Sequence, residues 1–207
     1  MNFLAHLYLS GNDEDMILGN FIADMVKGRK IYGYDPKIVE GIHLHRKIDR
    51  FTDTHPVFRK SKVRLREKYR LYSGVVVDMY YDHFLAKYWS DYSYNDLKAF
   101  AGKAYSILKG NLDILPERAR FIFPYMVEHN WLVNYADLES LKQNFGGMAR
   151  RTPFDSGMEE AVGDLEDHYG KFEAEFREFF PGLVSYVQQQ GVTLPHHREQ
   201  MNEGKSS

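Results

Sequence analysis

The sequence predicts an all-α protein built as a single helical bundle. Apolar residues recur at spacings of three and four along most of the chain, the signature of helices that bury one face. Alternating strand patterns are missing; the β-branched run Val75-Val76-Val77 leads into a segment, Asp78 to Lys87, that keeps helical spacing. A chain of 207 residues suits one domain, large enough to bury a core without disulfides.

The elements follow in order. Met1 to Leu9 is apolar but short, is interrupted by His6 and lacks a basic leader, so no export signal is expected. Gly28 to Asp35, with two glycines and Pro36 just beyond, reads as a loop. Lys37 to Asp53 reads as a helix. Phe58, Leu65, Tyr69 and Tyr72 share a helical face, and Val75, Asp78, Asp82 and Leu85 form another inward stripe. Ser93 with Asp96 resembles a capping box for a helix carrying Leu97, Phe100, Ala104 and Leu108, closed by Gly110-Asn111. A further helix is expected from Pro116 or Pro124 to Phe145, kinked or restarted at Pro124 and stopped by Gly146-Gly147. Arg150 to Gly157 reads as a loop. Val162, Leu165, Tyr169, Phe172, Phe176 and Phe179 define the strongest amphipathic helix, ended by Pro181-Gly182. The domain is therefore expected over residues 1–190, with a polar, disordered tail over 191–207.

Composition narrows function. The chain has no cysteine, which removes disulfides, thiolate nucleophiles and cysteine-based metal sites. With 27 basic against 29 acidic residues, overall charge gives no reason to expect nucleic-acid binding. No stretch approaches the roughly 20 apolar residues of a membrane span, so a soluble, cytoplasmic protein is expected, without a membrane or nucleic-acid partner. The glycine-rich phosphate loops, the G-x-S-x-G elbow and the H-E-x-x-H zinc motif are all missing.

The remaining chemistry lies in His and Asp residues of the first half. On the Lys37–Asp53 helix, Ile38, Ile42, His45 and Asp49 step along one face four residues at a time, so an apolar stripe turns polar halfway. His43 falls on the other side, because two residues turn about 200°. On the next such helix Asp78 and Asp82 occupy the middle of the inward stripe, with His83 about 100° around. Buried carboxylates are normally paired or bound to metal. Two helices offering carboxylate and imidazole inward could build a centre for Mn²⁺, Fe²⁺ or Zn²⁺; pairing with arginines of a neighbouring helix is the plainer alternative. Arg59 to Arg70 holds seven basic residues and one acid, and reads either as a solvated face or as a dock for an anionic partner.

The blocks Met1-Asn2-Phe3-Leu4-Ala5-His6-Leu7, Gly19-Asn20-Phe21-Ile22-Ala23-Asp24, Gly41-Ile42-His43-Leu44-His45-Arg46-Lys47-Ile48-Asp49, Phe51-Thr52-Asp53 and Tyr81-Asp82-His83-Phe84-Leu85 resemble the acyl carrier protein phosphodiesterase family. Trp131-Leu132-Val133 and Gly147-Met148-Ala149 are similar too, and the likeness runs from Met1 to about Gln190. The resemblance implies an all-helical, HD-domain-like fold and Mn²⁺-dependent hydrolysis, with Fe²⁺ or Mg²⁺ as alternative ions. The bond cut would be the phosphodiester joining 4′-phosphopantetheine to the serine of holo-acyl carrier protein. HD domains carry a His-Asp dipeptide where this chain has Asp82-His83, so their ligand scheme does not transfer directly.

Together these readings nominate Asp24, His45, Asp49, Asp78 and Asp82 as metal ligands. His6 and His83 are expected as ligands or acid–base groups, and Arg46 as a phosphate clamp, since guanidinium matches phosphate oxygens in pairs. The resemblance, and not spacing, brings in His6 and Asp24. Acyl carrier protein is the expected partner, docking on Arg59 to Arg70. A phosphohydrolase acting on a small nucleotide, or a carrier-protein binder without turnover, are the alternatives.

Overall fold

A computed structural model describes residues 1–194. Among these the chain forms twelve α-helices and no strand. In order they are α1 (Phe3–Tyr8), α2 (Glu14–Ile22), α3 (Pro36–Thr54), α4 (Pro56–Tyr69), α5 (Ser73–Lys87), α6 (Trp89–Tyr92), α7 (Leu97–Gly110), α8 (Glu117–Glu128), α9 (Trp131–Asn134), α10 (Leu138–Ala149), α11 (Ala161–Asp167) and α12 (Tyr169–Gln189). Short 3₁₀ turns join several of them; one, Gly28–Gly33, lies in the segment expected as a loop.

The tightest packing in the molecule is α2 against α3, and glycine is the reason. Gly19 on α2 and Gly41 on α3 face each other. A Cβ on Gly41 would lie 2.5 Å from the Met16 carbonyl oxygen, and one on Gly19 would run into the Ile38 carbonyl. Both obstacles are backbone, which cannot rotate aside. The two backbones therefore meet with no side chain between them. Asp13 caps α2, accepting from the Met16 N–H at 3.0 Å, and Pro36 opens α3 where its missing N–H costs nothing.

The core is largely aromatic. Phe172, Phe176, Phe179 and Phe180 of α12 are fully buried against Tyr80, Tyr81 and Phe84 of α5 and Phe58 of α4. Through this layer α12 clamps α4 and α5. Glu175 lies in the same layer and would be costly alone. Arg64 of α4 answers it with two hydrogen bonds, 2.6 and 2.7 Å, and Ser61 donates a third.

Several expected boundaries move. The Val162–Phe179 stripe faces the core, with Tyr169 half-buried, but belongs to two helices, α11 and α12, split at His168. Pro181 does not end α12; the helix runs on to Gln189 because Leu183, Val184 and Val187 still have core to bury. Pro124 likewise sits inside α8. The single helix expected up to Phe145 is three. Asn130, in the left-handed region at φ 43°, turns the chain between α8 and α9, and Asp137 caps α10. Gly146-Gly147 lies within α10. The cap of α7 is Asp96 itself, which accepts from Lys98 and Ala99, while Ser93 accepts from Asn95. Leu194 is buried, so packed chain extends beyond Gln190; the tail expected from 191 lies outside the described residues from 195 onward.

Two stability predictions follow from the packing. Gly41→Ala should lower the thermal midpoint sharply, since the added methyl meets backbone; a midpoint within 2 °C of wild type, an increment of about half a kcal/mol for a domain of this size, would show that α2 and α3 can separate cheaply. Glu175→Gln should cost about 3 kcal/mol by leaving Arg64 without its counter-charge, read from denaturant midpoints. Burial raises the Glu175 carboxyl, but Arg64 and Ser61 outweigh burial and hold it below its ordinary 4.5. The folded form thus holds its proton less tightly than the unfolded chain. Its contribution is complete above 4.5 and is lost as pH falls through the depressed value, a slope the Gln variant should lack.

Candidate active site

The α2–α3 contact places one polar cluster at the edge of the core. Asn20 follows Gly19 on α2, and His45 lies one turn beyond Gly41 on α3. Asn20 is fully buried, and its amide donates to the His6 carbonyl and to Ser10 Oγ, both at 2.9 Å. That fixes its Oδ1 toward His45. The Nδ1 of His45 is 2.9 Å from both Oδ1 and the carbonyl oxygen of Asn20. Both neighbours are acceptors, so Nδ1 carries the proton and donates. Nε2 is left to face Asp49 at 3.1 Å and Asp24 at 3.3 Å.

His6, from α1, stacks on His45 with ring centroids 3.8 Å apart, and its Nε2 lies 3.2 Å from the other oxygen of Asp49. Its Nδ1 is buried without a hydrogen-bond partner. Asp24 comes from the 3₁₀ turn Ala23–Met25 that ends α2. Among the described residues His6, His45 and Asp49 form one group whose ligand-type atoms lie within 4.8 Å of each other. Such a mixed set of imidazole and carboxylate could hold a divalent first-row ion, with Asn20 orienting His45 from behind.

The electrostatics agree with a tightly coupled set. Burial lowers His45, but Asp24 and Asp49 overcome it and raise the imidazole to about 9. Burial and the neighbouring His45 push His6 down to about 4. Asp49 is raised by burial but held well below the carboxylate range by His45 and His6. Asp24 is lowered chiefly by its hydrogen bond with His45.

The other nominated residues are elsewhere. Asp78 accepts from the Met1 ammonium at 2.7 Å. Asp82, fully buried, accepts from the backbone N–H groups of Asn2 at 3.2 Å and Leu4 at 2.8 Å, so it caps α1 from outside. The expected inward stripe of α5 holds only in its second half: Asp82 and Leu85 are buried, Asp78 is half-buried and Val75 is exposed, and the two carboxylates answer the amino end of α1 rather than join the His–Asp group. His83 has both nitrogens engaged: Nδ1 donates to the Tyr135 carbonyl and Nε2 accepts from the Tyr169 hydroxyl, each at 2.8 Å. It ties α5 to α9 and α12. Arg46 is exposed and does not line the groove described next. His43 is exposed while His45 is buried. Asn20 was not nominated; its signal is a lone amide in the apolar run Met16 to Ile22.

His6, Asn20, Asp24 and His45 line one end-wall of a groove of about 990 Å³. Phe3, Phe21, Met25, Trp131 and Met79 supply apolar wall, and Asn134, Ser140, Gln143 and Asn144 supply polar side chains. The volume is at the upper end of small-molecule sites, about 300–1,000 Å³.

The groove and its His–Asp group suit catalysis, and comparison with known proteins gives the class of the protein as a hydrolase of phosphodiester bonds. The family model described as acyl carrier protein phosphodiesterase matches residues 1–183. A Photorhabdus laumondii protein of that name is 36% identical over 186 residues, covering 89% of this chain and 93% of its own. A Salmonella paratyphi A protein of the same name is 34% identical, covering 89% and 96%. No solved structure matches. The chain belongs to the acyl carrier protein phosphodiesterase family. Among the described residues no helix is long and apolar enough to cross a membrane.

The cap on α1 is testable against a ligand role. Asp82→Asn should destabilise the fold by about 1–3 kcal/mol, the cost of leaving a buried donor unpaired, and should leave any Mn²⁺ uptake by the folded protein unaltered. Loss of metal at unchanged stability would make Asp82 a ligand instead.

Proposed function

We propose that the protein hydrolyses the phosphodiester joining 4′-phosphopantetheine to the serine of holo-acyl carrier protein, with a divalent ion, Mn²⁺ before Fe²⁺ or Mg²⁺, held by His45, Asp49, Asp24 and His6. The observation that carries this reading is that His6, Asp24 and His45 line the groove together, with Asp49 bridging the two imidazoles beside it. Such an ion supplies positive charge to the phosphoryl oxygens and lowers the pKa of water.

The residues do the rest. Asn20 holds His45 in the tautomer whose Nε2 faces the carboxylates. Asp49 spans both imidazoles and sets their separation. Phe3 and Trp131, with ring centroids 6.3 Å apart, supply apolar wall to the same groove. In the reaction water adds to phosphorus, the bond from phosphorus to the serine oxygen breaks, and that oxygen takes a proton. Phosphate leaves on the pantetheine arm, and the apo-carrier remains.

Docking on Arg59 to Arg70 is less simple than a bare basic face. Arg64 is spent on Glu175, Lys60 leans on the same carboxylate at 3.5 Å, Lys62 on Asp53 at 3.7 Å and Lys68 on Asp164 at 2.7 Å. Arg59 donates to the Asp53 carbonyl. Arg66 and Arg70 are the members left for an anionic partner. Reversing Arg64, unlike these two, would break the fold.

Incubation with holo-carrier and Mn²⁺ should convert it to the apo mass, with 4′-phosphopantetheine released; an unchanged carrier mass rejects the reading. His45→Ala should lower turnover by at least 100-fold and reduce bound metal, whereas His43→Ala should stay within about threefold. These margins correspond to about 2.7 and 0.6 kcal/mol of barrier. Equal losses in two folded variants would contradict the assignment of His45.

A further inference from the structure

We propose that Arg118, Arg150 and Arg151, with the exposed rings of Phe121 and Tyr125, form the surface on which the acidic face of the carrier protein lands. This rests on the functional reading above and names where the macromolecular half of the substrate sits. It also places the main dock away from α4.

Three observations converge. First, among the described residues these arginines are the only Lys or Arg side chains lining the groove whose wall includes His6, Asp24 and His45. All three are exposed, and no carboxylate among the described residues pairs with them, unlike most of the α4 run. Second, Arg150 and Arg151 converge. Gly146 and Gly147 leave the last turn of α10 bare, and both guanidinium groups fold over it. A Cβ on Gly147 would lie 3.8 Å from Nη2 of Arg151 and 3.9 Å from Nη2 of Arg150. Two like charges gathered around one point without a counter-ion repel, and an anionic partner relieves that repulsion. Third, Arg118, Phe121 and Tyr125 share one face of α8 at steps of three and four. The two rings are 5.7 Å apart and are 65% and 48% exposed. Arginine beside exposed aromatics is the composition of a protein interface rather than of a solvated helix.

Exposure also separates this role from phosphate clamping. The cluster that would meet the diester is built from buried imidazoles, whereas the guanidinium groups stand at the rim. They meet a surface, not the reacting group. An acidic carrier surface beside the modified serine would match the charge of this rim, with its arm running along the groove toward His45.

The test is steady-state release of 4′-phosphopantetheine from holo-carrier with Mn²⁺. Wild type is compared with Arg150→Glu/Arg151→Glu, with Arg118→Glu on a different helix, with Arg150→Lys/Arg151→Lys, and with Arg66→Glu/Arg70→Glu on α4. The rim reversals should raise KM at least tenfold with kcat within twofold, and should flatten the fall of kcat/KM with salt. The lysine pair should recover most of the loss, and the α4 reversal should shift KM less than the rim reversals. Unchanged KM at the rim, a fall confined to kcat, or a larger effect from α4 would each overturn the proposal. No release by wild type would instead overturn the functional reading, and the landing surface with it.

Discussion

The approach of α2 to α3 through Gly19 and Gly41 is the constraint on which the rest of the site depends. With glycine on both sides the helices touch backbone to backbone, and the residues just beyond the contact are forced together. Asn20 then reaches His45 with both its oxygens, and Asp24, at the end of α2, reaches the far nitrogen of the same ring. A methyl group at either glycine would push α2 outward by more than the slack of a hydrogen bond. The second constraint is on α1. Its six residues are too few to hold a position by themselves, and Asp82 and Asp78 of α5 hold its amino end so that His6 can lie over His45.

This division of labour explains what could be read in advance. The phase of α3 was legible because the apolar stripe through Ile38 and Ile42 continues into His45 and Asp49, and 3.6-residue periodicity carries the direction of each side chain. The same logic nominated Asp78 and Asp82, and it found Asp82 buried, while Asp78 is half-buried and Val75 on the same stripe is exposed. Periodicity says which way a carboxylate points, not what meets it. In one case the answer is imidazole, in the other the backbone N–H groups of a short helix remote in sequence. Arg46 was nominated for the match of guanidinium to phosphate and His83 as the imidazole next to Asp82; a neighbour on a helix is rotated by about 100°, which carries Arg46 to solvent and His83 to Tyr135 and Tyr169. Asn20 escaped notice because an amide is weaker as a chemical signal than a charge, although an amide within the otherwise apolar run Met16 to Ile22 has few other reasons to be there.

Helix boundaries show a parallel limit. Pro124 and Pro181 are strong local stops, yet both helices pass through them, because buried side chains on the far side reward continuation. Asn130 is a weaker local signal and is the place where the chain turns. The basic stretch on α4 was visible as charge, but whether a charge is free is decided by the partner helix. Glu175 and Asp164, more than a hundred and almost a hundred residues downstream respectively, neutralise much of it. The unpaired arginines that line the groove lie on α8 and at the end of α10, where no run of sequence draws the eye.

The central claim is that one ion sits among His6, Asp24, His45 and Asp49, and anomalous diffraction from crystals grown with Mn²⁺ tests it most directly. The account predicts a manganese peak bonded to Nε2 of His45 and to Asp49, with Asp78 and Asp82 still engaged by α1. A peak held by Asp78 and Asp82, or an ordered crystal in Mn²⁺ with no peak near His45, would contradict it.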